Sequence, residues 1–275
     1  MKIVNWNTKV CDQSQADVIA TYLDDVEVDI ACLQEVGNNS DLSKYLDALP
    51  SNDWHVASAP EGYGGKNYYI IINKSTCSNI SPVERFDPRL DPENIKLKYL
   101  WSSTLFDQIH GRSPIYLELS HGGEDYRIAN WHAPINVHTP GELSKRLKGG
   151  SNLESMIGVE TSMTFNPTMT PKRIILAGDL NIKQQELEEN WQQYLVDIQL
   201  QYKSGTKPKF MKRKTLFDEY LDITPSRNHL EHILVSYDVD FDIHVLWSQC
   251  SETINNKQIT NKSDHSLMYV TLEDA

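Results

Sequence analysis

Polar residues stand at the ends of apolar, strand-like runs at several points of this sequence. The clearest case is the segment ILAGDLN at residues 175 to 181, in which a buried-looking run leads directly into Asp179 and Asn181. Residues two positions apart in an extended chain point to the same side, so these two side chains should face the same space. A carboxylate and an amide placed together predict a polar site at the end of a core strand.

The same pattern recurs beside other apolar runs, at Asn7, Gln34, Glu35, His132, Glu231, His232, Asp264 and His265. Taken singly, each of these residues has an ordinary role as a turn former, a cap or a partly buried histidine. As a set, the carboxylates have no matching lysines or arginines and would repel one another unless a cation lay among them. Oxygen ligands of this kind suit Mg²⁺ or Mn²⁺ better than zinc. The histidines would then be available to accept and donate protons.

Strand-like and helix-like segments alternate along the chain. The predicted strands are KIVNWN, DIACLQEV, NYYIIIN, IYLELS, YRIANWHA, RIILAGDL, HILVS, FDIHVLW and SLMYVTL, and the predicted helices cover residues 13–24, 41–49, 142–163 and 184–200. Gly122 and Gly123 mark a hairpin turn, which implies antiparallel pairing beside helical crossovers. The pattern predicts an α/β fold with sheets and helices packed outside them.

A faint internal repeat links the two halves of the sequence. IVNWNT at 3–8 resembles IANWHA at 128–133, and each is followed by an apolar run that ends in an acidic residue, within QEV at 34–36 and within GDLN at 178–181. Two similar halves facing each other would bring four polar strand ends to one crevice. Chance similarity over six residues is an equally good explanation. Because no low-complexity segment or linker divides the chain, we predict one domain over residues 1–275.

Composition narrows the classes of function. With 39% hydrophobic residues, the 275-residue chain can bury a large core. Its formal net charge of -12 argues against a protein that coats polyanions, although a local basic strip or a bound cation would still permit a nucleic-acid enzyme. The four cysteines lack metal-ligand spacing and are predicted to be free thiols. No apolar run is long enough to span a membrane and residues 1–8 read as a strand, so we expect a cytoplasmic protein, with delivery outside the cell left open.

Six of these segments, taken in order, resemble the motif set of the endonuclease/exonuclease/phosphatase superfamily, the deoxyribonuclease I-like enzymes. They are WN at 6–7, LQE at 33–35, NWHAP at 130–134, GDLN at 178–181, LEHILVS at 230–236 and SDH at 263–265. The resemblance implies a four-layer α/β sandwich, in which two packed mixed β-sheets are flanked by helices. It also implies a phosphodiesterase or phosphatase that depends on Mg²⁺ or Mn²⁺.

The resemblance assigns a metal-binding role to Glu35, with Asn7 and Asp264 close to the ion. It assigns Asp179 to orienting the attacking water or a second metal-bound water, and Asn181 to donating a hydrogen bond to a phosphate oxygen. These roles would account for the polar residues at the strand ends, because buried carboxylates are costly unless they are used in this way.

Two histidines carry the remaining catalytic roles that the resemblance implies. His265 matches the histidine that contacts the scissile phosphate, and His132 matches a second histidine of the deoxyribonuclease I-like and sphingomyelinase-like branches. In the family an aspartate orients the terminal histidine, whereas this chain has Glu231. The extra methylene moves the carboxylate by one bond length, ~1.5 Å. We expect Glu231 to pair with His265 nevertheless.

Two further positions resemble substrate contacts of the deoxyribonuclease I and cytolethal distending toxin branch, which is the nearest one. Arg112 precedes a strand like the phosphate-binding arginine of that branch, although a surface ion pair is the alternative. Tyr69 either borders the phosphate pocket or packs beside its strand. The segment KSGTKPKFMKRK at 203–214 carries six positive charges and could follow a DNA backbone, bind a phosphoinositide headgroup or remain a solvated loop.

Together these features predict a magnesium-dependent DNA endonuclease with little sequence specificity. One alternative is a phosphoinositide phosphatase or a sphingomyelinase-like phosphodiesterase acting on lipid headgroups. A second is a non-catalytic binding module on the same fold, for which the exchange of aspartate for Glu231 is the only hint.

Overall fold

A computed structural model describes residues 1–9, 11–37, 53–58, 68–85, 115–132, 173–179, 231–235, 241–246 and 248–273. Its elements, in chain order, are β1 (Lys2–Asn7), α1 (Gln13–Asp24), β2 (Ile30–Gln34), β3 (Trp54–Ser58), β4 (Tyr69–Asn73), β5 (Cys77–Ser78), β6 (Glu84–Arg85), β7 (Ile115–His121), β8 (Glu124–His132), β9 (Arg173–Asp179), β10 (Glu231–Val235), β11 (Phe241–Leu246), β12 (Ser251–Ile254), β13 (Lys257–Thr260) and β14 (Leu267–Leu272).

The strands form two large mixed sheets and a small hairpin. The first sheet has the order β11-β14-β1-β2-β4-β3, and the second has the order β10-β9-β8-β7-β5, with β6 paired to β7. Within each sheet one pair is parallel, β1 with β2 in the first and β8 with β9 in the second, and the other pairs are antiparallel. Strands β12 and β13 pair only with each other.

Helix α1 begins at a complete capping box. The Asp12 side chain accepts from the backbone of Ser14 and Gln15, and the Gln15 side chain accepts from the Asp12 backbone. The helix then buries an apolar face that includes Ile19 and Tyr22 against the first sheet. The predicted helix at 13–24 is therefore confirmed.

The two sheets pack face to face through buried side-chain amides as well as apolar residues. Asn5 Nδ2 donates to the Gly178 carbonyl at 3.1 Å, and Gln34 Nε2 donates to Asn130 Oδ1 at 2.7 Å. Asn130 Nδ2 donates in turn to the carbonyls of Leu33 and Tyr69, both at 3.0 Å. Each of these amides is fully buried, so the hydrogen bonds fix how the sheets sit on each other.

The internal repeat corresponds to a structural repeat. Strands β1 and β8 carry the similar sequences, and each pairs in parallel with the strand that ends in the acidic motif. Asn7 lies opposite Gln34 in the first pair, and His132 lies opposite Asp179 in the second. The four polar strand ends consequently meet between the sheets.

All nine predicted strands are present, and Gly122 and Gly123 form the predicted turn with φ of 60° and 87°. Five strands were not predicted, namely β3, β5, β6, β12 and β13. The α/β sandwich of two packed mixed sheets is confirmed, and α1 is the helix described outside them. The predicted helices at 41–49, 142–163 and 184–200 lie outside the described residues. The single domain over 1–275 stays a prediction.

The four cysteines, all of which lie within the described residues, are thiols that form no disulfide, as predicted. In the part of the chain that the structure describes, no helix has the length and apolar character needed to cross a membrane.

Candidate active site

Asp179 lies at the centre of the site, at the end of β9. Its carboxylate is buried and accepts a 2.9 Å hydrogen bond from Asn7 Nδ2 across the two sheets. His132 Nε2 and His265 Nδ1 each lie 3.7 Å from Asp179 Oδ2. Burial raises the pKa of Asp179, and the negative charge of Glu231 raises it further. The site therefore holds a carboxylate of increased basicity beside two imidazoles.

His265 pairs with Glu231, the position at which an aspartate is usual. Glu231 begins β10 opposite Asp179, and its Oε1 forms a short hydrogen bond with His265 Nδ1. Burial alone would lower the pKa of His265, but the hydrogen bond and charge of Glu231, with the charges of Asp179 and Asp264, raise it to about 9. The strand position of Glu231 accommodates the extra methylene, and the predicted pair is present in the geometry.

The loop before β14 holds the His265 backbone. Asn261 Nδ2 donates to the His265 carbonyl at 2.8 Å, and the His265 amide donates to Ser263 Oγ at 3.1 Å. Ser263 Oγ donates to the Asn7 carbonyl at 2.8 Å, and Asn261 and Ser263 are fully buried. These bonds tie the histidine to the end of β1.

His132 occupies the other side of the site, at the end of β8. Its Nε2 lies 3.6 Å from Glu35 Oε1, and its carbonyl accepts a 3.1 Å hydrogen bond from the Tyr68 hydroxyl. The Tyr68 ring meets the imidazole edge-on with centroids 6.4 Å apart. Glu35 follows β2 with φ of 53°, a conformation that costs free energy for a residue with a side chain and that recurs at active sites.

Gly178 allows the strands at the site to approach closely. A Cβ at this position would lie 1.8 Å from the Trp131 carbonyl oxygen on the neighbouring strand. The glycine that precedes Asp179 is therefore a steric requirement of the sheet.

Lys9 is a site residue that the sequence argument missed. Its Nζ lies 2.5 Å from Asp264 Oδ2, and both side chains are about half exposed. The expectation of carboxylates without a matching lysine or arginine is therefore wrong for Asp264. The contact joins residues 255 positions apart, and the only signal for it is that Lys9 follows the end of a core strand.

The three residues predicted to bind the metal have different contacts in the structure. Glu35 lies at the site as expected. Asn7 uses Nδ2 to hold Asp179, and its Oδ1 accepts from the Lys9 backbone amide at 3.1 Å. Asp264 faces Lys9, and its Oδ1 lies 3.7 Å from His265 Nε2. The metal-binding role of all three residues stays a prediction.

The donor set fits a hard divalent cation bound chiefly by Glu35. Among the described residues, no group of three or more His, Cys, Asp or Glu side chains is arranged to enclose a metal. Mg²⁺ commonly binds through one or two carboxylates, and takes its other ligands from waters and substrate phosphates. Among the described residues, Glu35 has a carboxylate 3.6 Å from His132 Nε2, and Asp179 and Glu231 are further carboxylates of the site.

The remaining predicted site residues are not all described. Tyr69 is buried in the core on the α1 side of the first sheet, which agrees with the packing alternative, and its neighbour Tyr68 is the residue that contacts His132. Three further predictions fall outside the described residues, namely those for Asn181, Arg112 and the basic segment 203–214. Both interpretations of Arg112, as a phosphate contact or as part of a surface ion pair, therefore stay predictions.

Comparisons with known proteins identify the fold. No family model matches the chain, and no curated protein matches its sequence. The mannosyl-6-phosphatase of Bacteroides thetaiotaomicron VPI-5482 is similar in structure, with a TM-score of 0.61, 17% identity and 100% of each chain covered. An endonuclease/exonuclease/phosphatase family protein from the same species has a TM-score of 0.59 and 18% identity, with 99% of this chain and 97% of that chain covered.

A third solved structure is D. rerio TDP2 complexed with single-strand DNA product. It has a TM-score of 0.54 and 15% identity, with 100% of this chain and 99% of that chain covered. The structural neighbours confirm that this chain has the deoxyribonuclease I-like fold of the endonuclease/exonuclease/phosphatase proteins. At this low sequence identity the likeness shows the fold alone. The activity has to be argued from the residues of the site.

Proposed function

We propose that this protein is a divalent-metal-dependent hydrolase of phosphate esters, and that its substrate is the phosphodiester backbone of DNA. The observation that carries the proposal is the placement of one buried carboxylate, Asp179, 3.7 Å from the ring nitrogens of two different imidazoles. Hydrolysis of a phosphate ester needs one group to take a proton from water and another to give one to the leaving oxygen. The site supplies groups for both transfers.

Asp179 takes the proton from the attacking water. Its raised pKa makes it a stronger base than an exposed aspartate, and Asn7 fixes its orientation through Oδ2. His132, held between Glu35 and Asp179, is in position to deliver a proton to the leaving oxygen. Both roles depend on groups anchored to strand ends, which hold their positions closely.

His265 binds the negative charge of the phosphate. With a pKa of about 9 it is an imidazolium at neutral pH, and Glu231 holds its Nδ1 so that Nε2 is directed away from the pair. A divalent cation held by Glu35 would polarise a phosphoryl oxygen and neutralise the charge that grows in the transition state. The chain itself supplies the positioning and the proton transfers.

DNA is the proposed substrate for two reasons. One structural neighbour is described in complex with a single-strand DNA product. The segment 203–214 also offers six positive charges in an otherwise acidic chain, and such a cluster can bind a phosphodiester backbone without regard to sequence. A phosphomonoesterase acting on a sugar phosphate is the second candidate, because another neighbour is a mannosyl-6-phosphatase.

A substrate panel tests the proposal. Supercoiled plasmid, a labelled single-stranded oligonucleotide, a phosphoinositide and mannose 6-phosphate are each incubated with the protein in Mg²⁺, in Mn²⁺ and in EDTA. Metal-dependent nicking of plasmid or cutting of the oligonucleotide supports the DNA proposal. Release of phosphate from one of the other two compounds, without DNA cleavage, would replace it with a phosphatase, and the absence of all turnover would favour a binding module.

A matched pair of histidine variants guards against contamination. His265→Gln removes one of the two imidazoles of the site, whereas His244→Gln removes a half-exposed histidine that is paired with Glu252 at 2.7 Å, away from the site. Turnover that belongs to this protein falls sharply in the first variant and persists in the second.

A further inference from the structure

Lys9 is a cationic residue at the exposed edge of the site, and the proton transfers proposed above do not involve it. Lys9 lies two residues beyond Asn7, and its side chain is 59% exposed. Its ammonium group pairs with Asp264, and the charge of Glu35 acts on it as well. Lys9 therefore stands between the residue expected to bind the metal and the loop that carries His265.

The Asp264 carboxylate lies close to two nitrogen atoms that can carry positive charge. Its Oδ2 contacts Lys9 Nζ at 2.5 Å, and its Oδ1 lies 3.7 Å from His265 Nε2. A carboxylate placed across two such nitrogens occupies the position of an anion with two oxygens. A phosphate group presents oxygens at a comparable spacing and carries equal or greater charge.

The Lys9–Asp264 pair is easily exchanged, whereas the Lys9 backbone is fixed. Ion pairs between exposed side chains contribute little free energy, because water screens the charges. The Lys9 backbone has φ of 55°, and its amide donates to Asn7 Oδ1. The residue that orients Asp179 thus also fixes the chain from which the lysine side chain extends.

We propose that Lys9 binds a phosphate oxygen of the substrate, and that the substrate phosphate displaces the Asp264 carboxylate from Lys9 when it binds. The inference rests on the proposed phosphoesterase function and adds a substrate contact to it. Asp264 then acts as a competitor for the phosphate position in the free protein. Because Lys9 and Asp264 are both exposed, their substitution leaves the buried core untouched.

A titration without turnover tests the contact directly. Inorganic phosphate is added to metal-free protein, and the ring signals of His265 are followed by NMR. We expect Lys9→Met to weaken phosphate binding about 10-fold, which is the effect of one charge-assisted hydrogen bond. Asp264→Asn should strengthen binding several-fold, because it removes the competing charge. Unchanged phosphate affinity in Lys9→Met, or weaker binding in Asp264→Asn, would overturn the proposal.

Lys257 provides a matched control. It forms an ion pair with Asp25 at 2.7 Å and is 62% exposed, so Lys257→Met changes the net charge equally at a distant place. Phosphate affinity should stay within about 2-fold of wild type in that variant, and Lys9→Arg should retain most of it. An equal loss in Lys9→Met and Lys257→Met would show a general charge effect and overturn the contact.

Turnover separates this inference from the proposed function. With bis(4-nitrophenyl) phosphate and Mg²⁺, Lys9→Met should lower kcat/KM about 10-fold, while Lys257→Met leaves it unchanged. If wild type cleaves but Lys9→Met cleaves equally well, the Lys9 contact is wrong and the function stands. If wild type cleaves no substrate at all, the function fails whatever the phosphate titration shows.

Discussion

The two parallel strand pairs, β1 with β2 and β8 with β9, have the same backbone arrangement but end in different side chains. In each pair an asparagine and a tryptophan precede the last residue of the first strand. Asn5 donates across the interface to the Gly178 carbonyl, and Asn130 donates to the carbonyl of Leu33, which occupies the equivalent place on β2. The similar sequences of β1 and β8 thus make equivalent bonds in opposite directions.

The chemistry differs at the last register position of each pair. Asn7 faces Gln34 in the first pair, and both are neutral amides, whereas His132 faces Asp179 in the second, and both can exchange protons. The first pair supplies hydrogen bonds that hold groups in place, and the acidic residue beyond it, Glu35, lies one step past the strand. The shared backbone frame thus presents neutral amides on one side of the site, and an imidazole with a buried carboxylate on the other.

The strongest way to break the comparison is Asp179→Asn, which gives the second pair an amide like that of the first. We expect kcat to fall about 1000-fold, because the proton acceptor is lost. Stability should stay unchanged or rise, since a neutral amide is cheaper to bury than a carboxylate. Steady-state kinetics and urea unfolding measure both quantities, and a variant that keeps most of its turnover would remove Asp179 from the mechanism.

The next variant removes the charge of Glu231, which lies opposite Asp179 on the strand beside the second pair. Glu231→Gln should lower kcat about 10- to 100-fold with a normal fold, because groups that orient a catalytic side chain have effects of this size. Glu252→Gln is the matched control, since Glu252 pairs with His244 away from the site. Equal turnover in the two variants would refute the role of the Glu231–His265 pair.

The third variant acts on the amide side. Gln34→Met removes donors to Asn5 Oδ1 and Asn130 Oδ1, at 2.8 Å and 2.7 Å, and leaves both oxygens buried. We expect a loss of about 2 to 3 kcal/mol in the free energy of unfolding. A stability equal to wild type in urea unfolding would show that the buried amides do not hold the sheets together.

The smallest effect concerns pH. The raised folded pKa of His265, about 9, means that its pairing stabilises the protein fully below the unfolded value near 6.5. That contribution is lost as the pH rises through about 9. NMR titration of metal-free protein should show the high pKa in wild type and a lower one in Glu231→Gln. An unchanged titration in the variant would contradict the pairing.

The sequence predicted those site residues that end recognisable apolar strands. Asn7, His132 and Asp179 follow such runs directly. Alternation along β1 places Asn7 on the face opposite Trp6, which packs in the core on the α1 side. Alternation places Tyr68 and Tyr69 on opposite faces of the sheet, but it does not show which of the two faces the site. Both are apolar in pattern and both are buried, and it is Tyr68 that contacts His132.

The Lys9–Asp264 contact and the β12–β13 hairpin are not marked by an apolar strand pattern in the sequence. The Lys9–Asp264 contact depends on two exposed residues that only the folded sheet brings together. The β12–β13 hairpin is short and largely polar, so it lacks an apolar pattern, although Asn255 and Asn256 at positive φ mark its turn. Asparagine pairs of this kind favour tight hairpins and are the signal that would have found it.

The proposed function requires that Glu35, Asp179 and the two histidines surround one divalent cation and one phosphate. Crystals grown with Mn²⁺ and inorganic phosphate, measured at a wavelength where manganese scatters anomalously, test this arrangement. We expect one manganese peak within about 2.2 Å of a Glu35 carboxylate oxygen, with phosphate between that ion and His265. A peak elsewhere, or a phosphate bound away from both histidines, would contradict it.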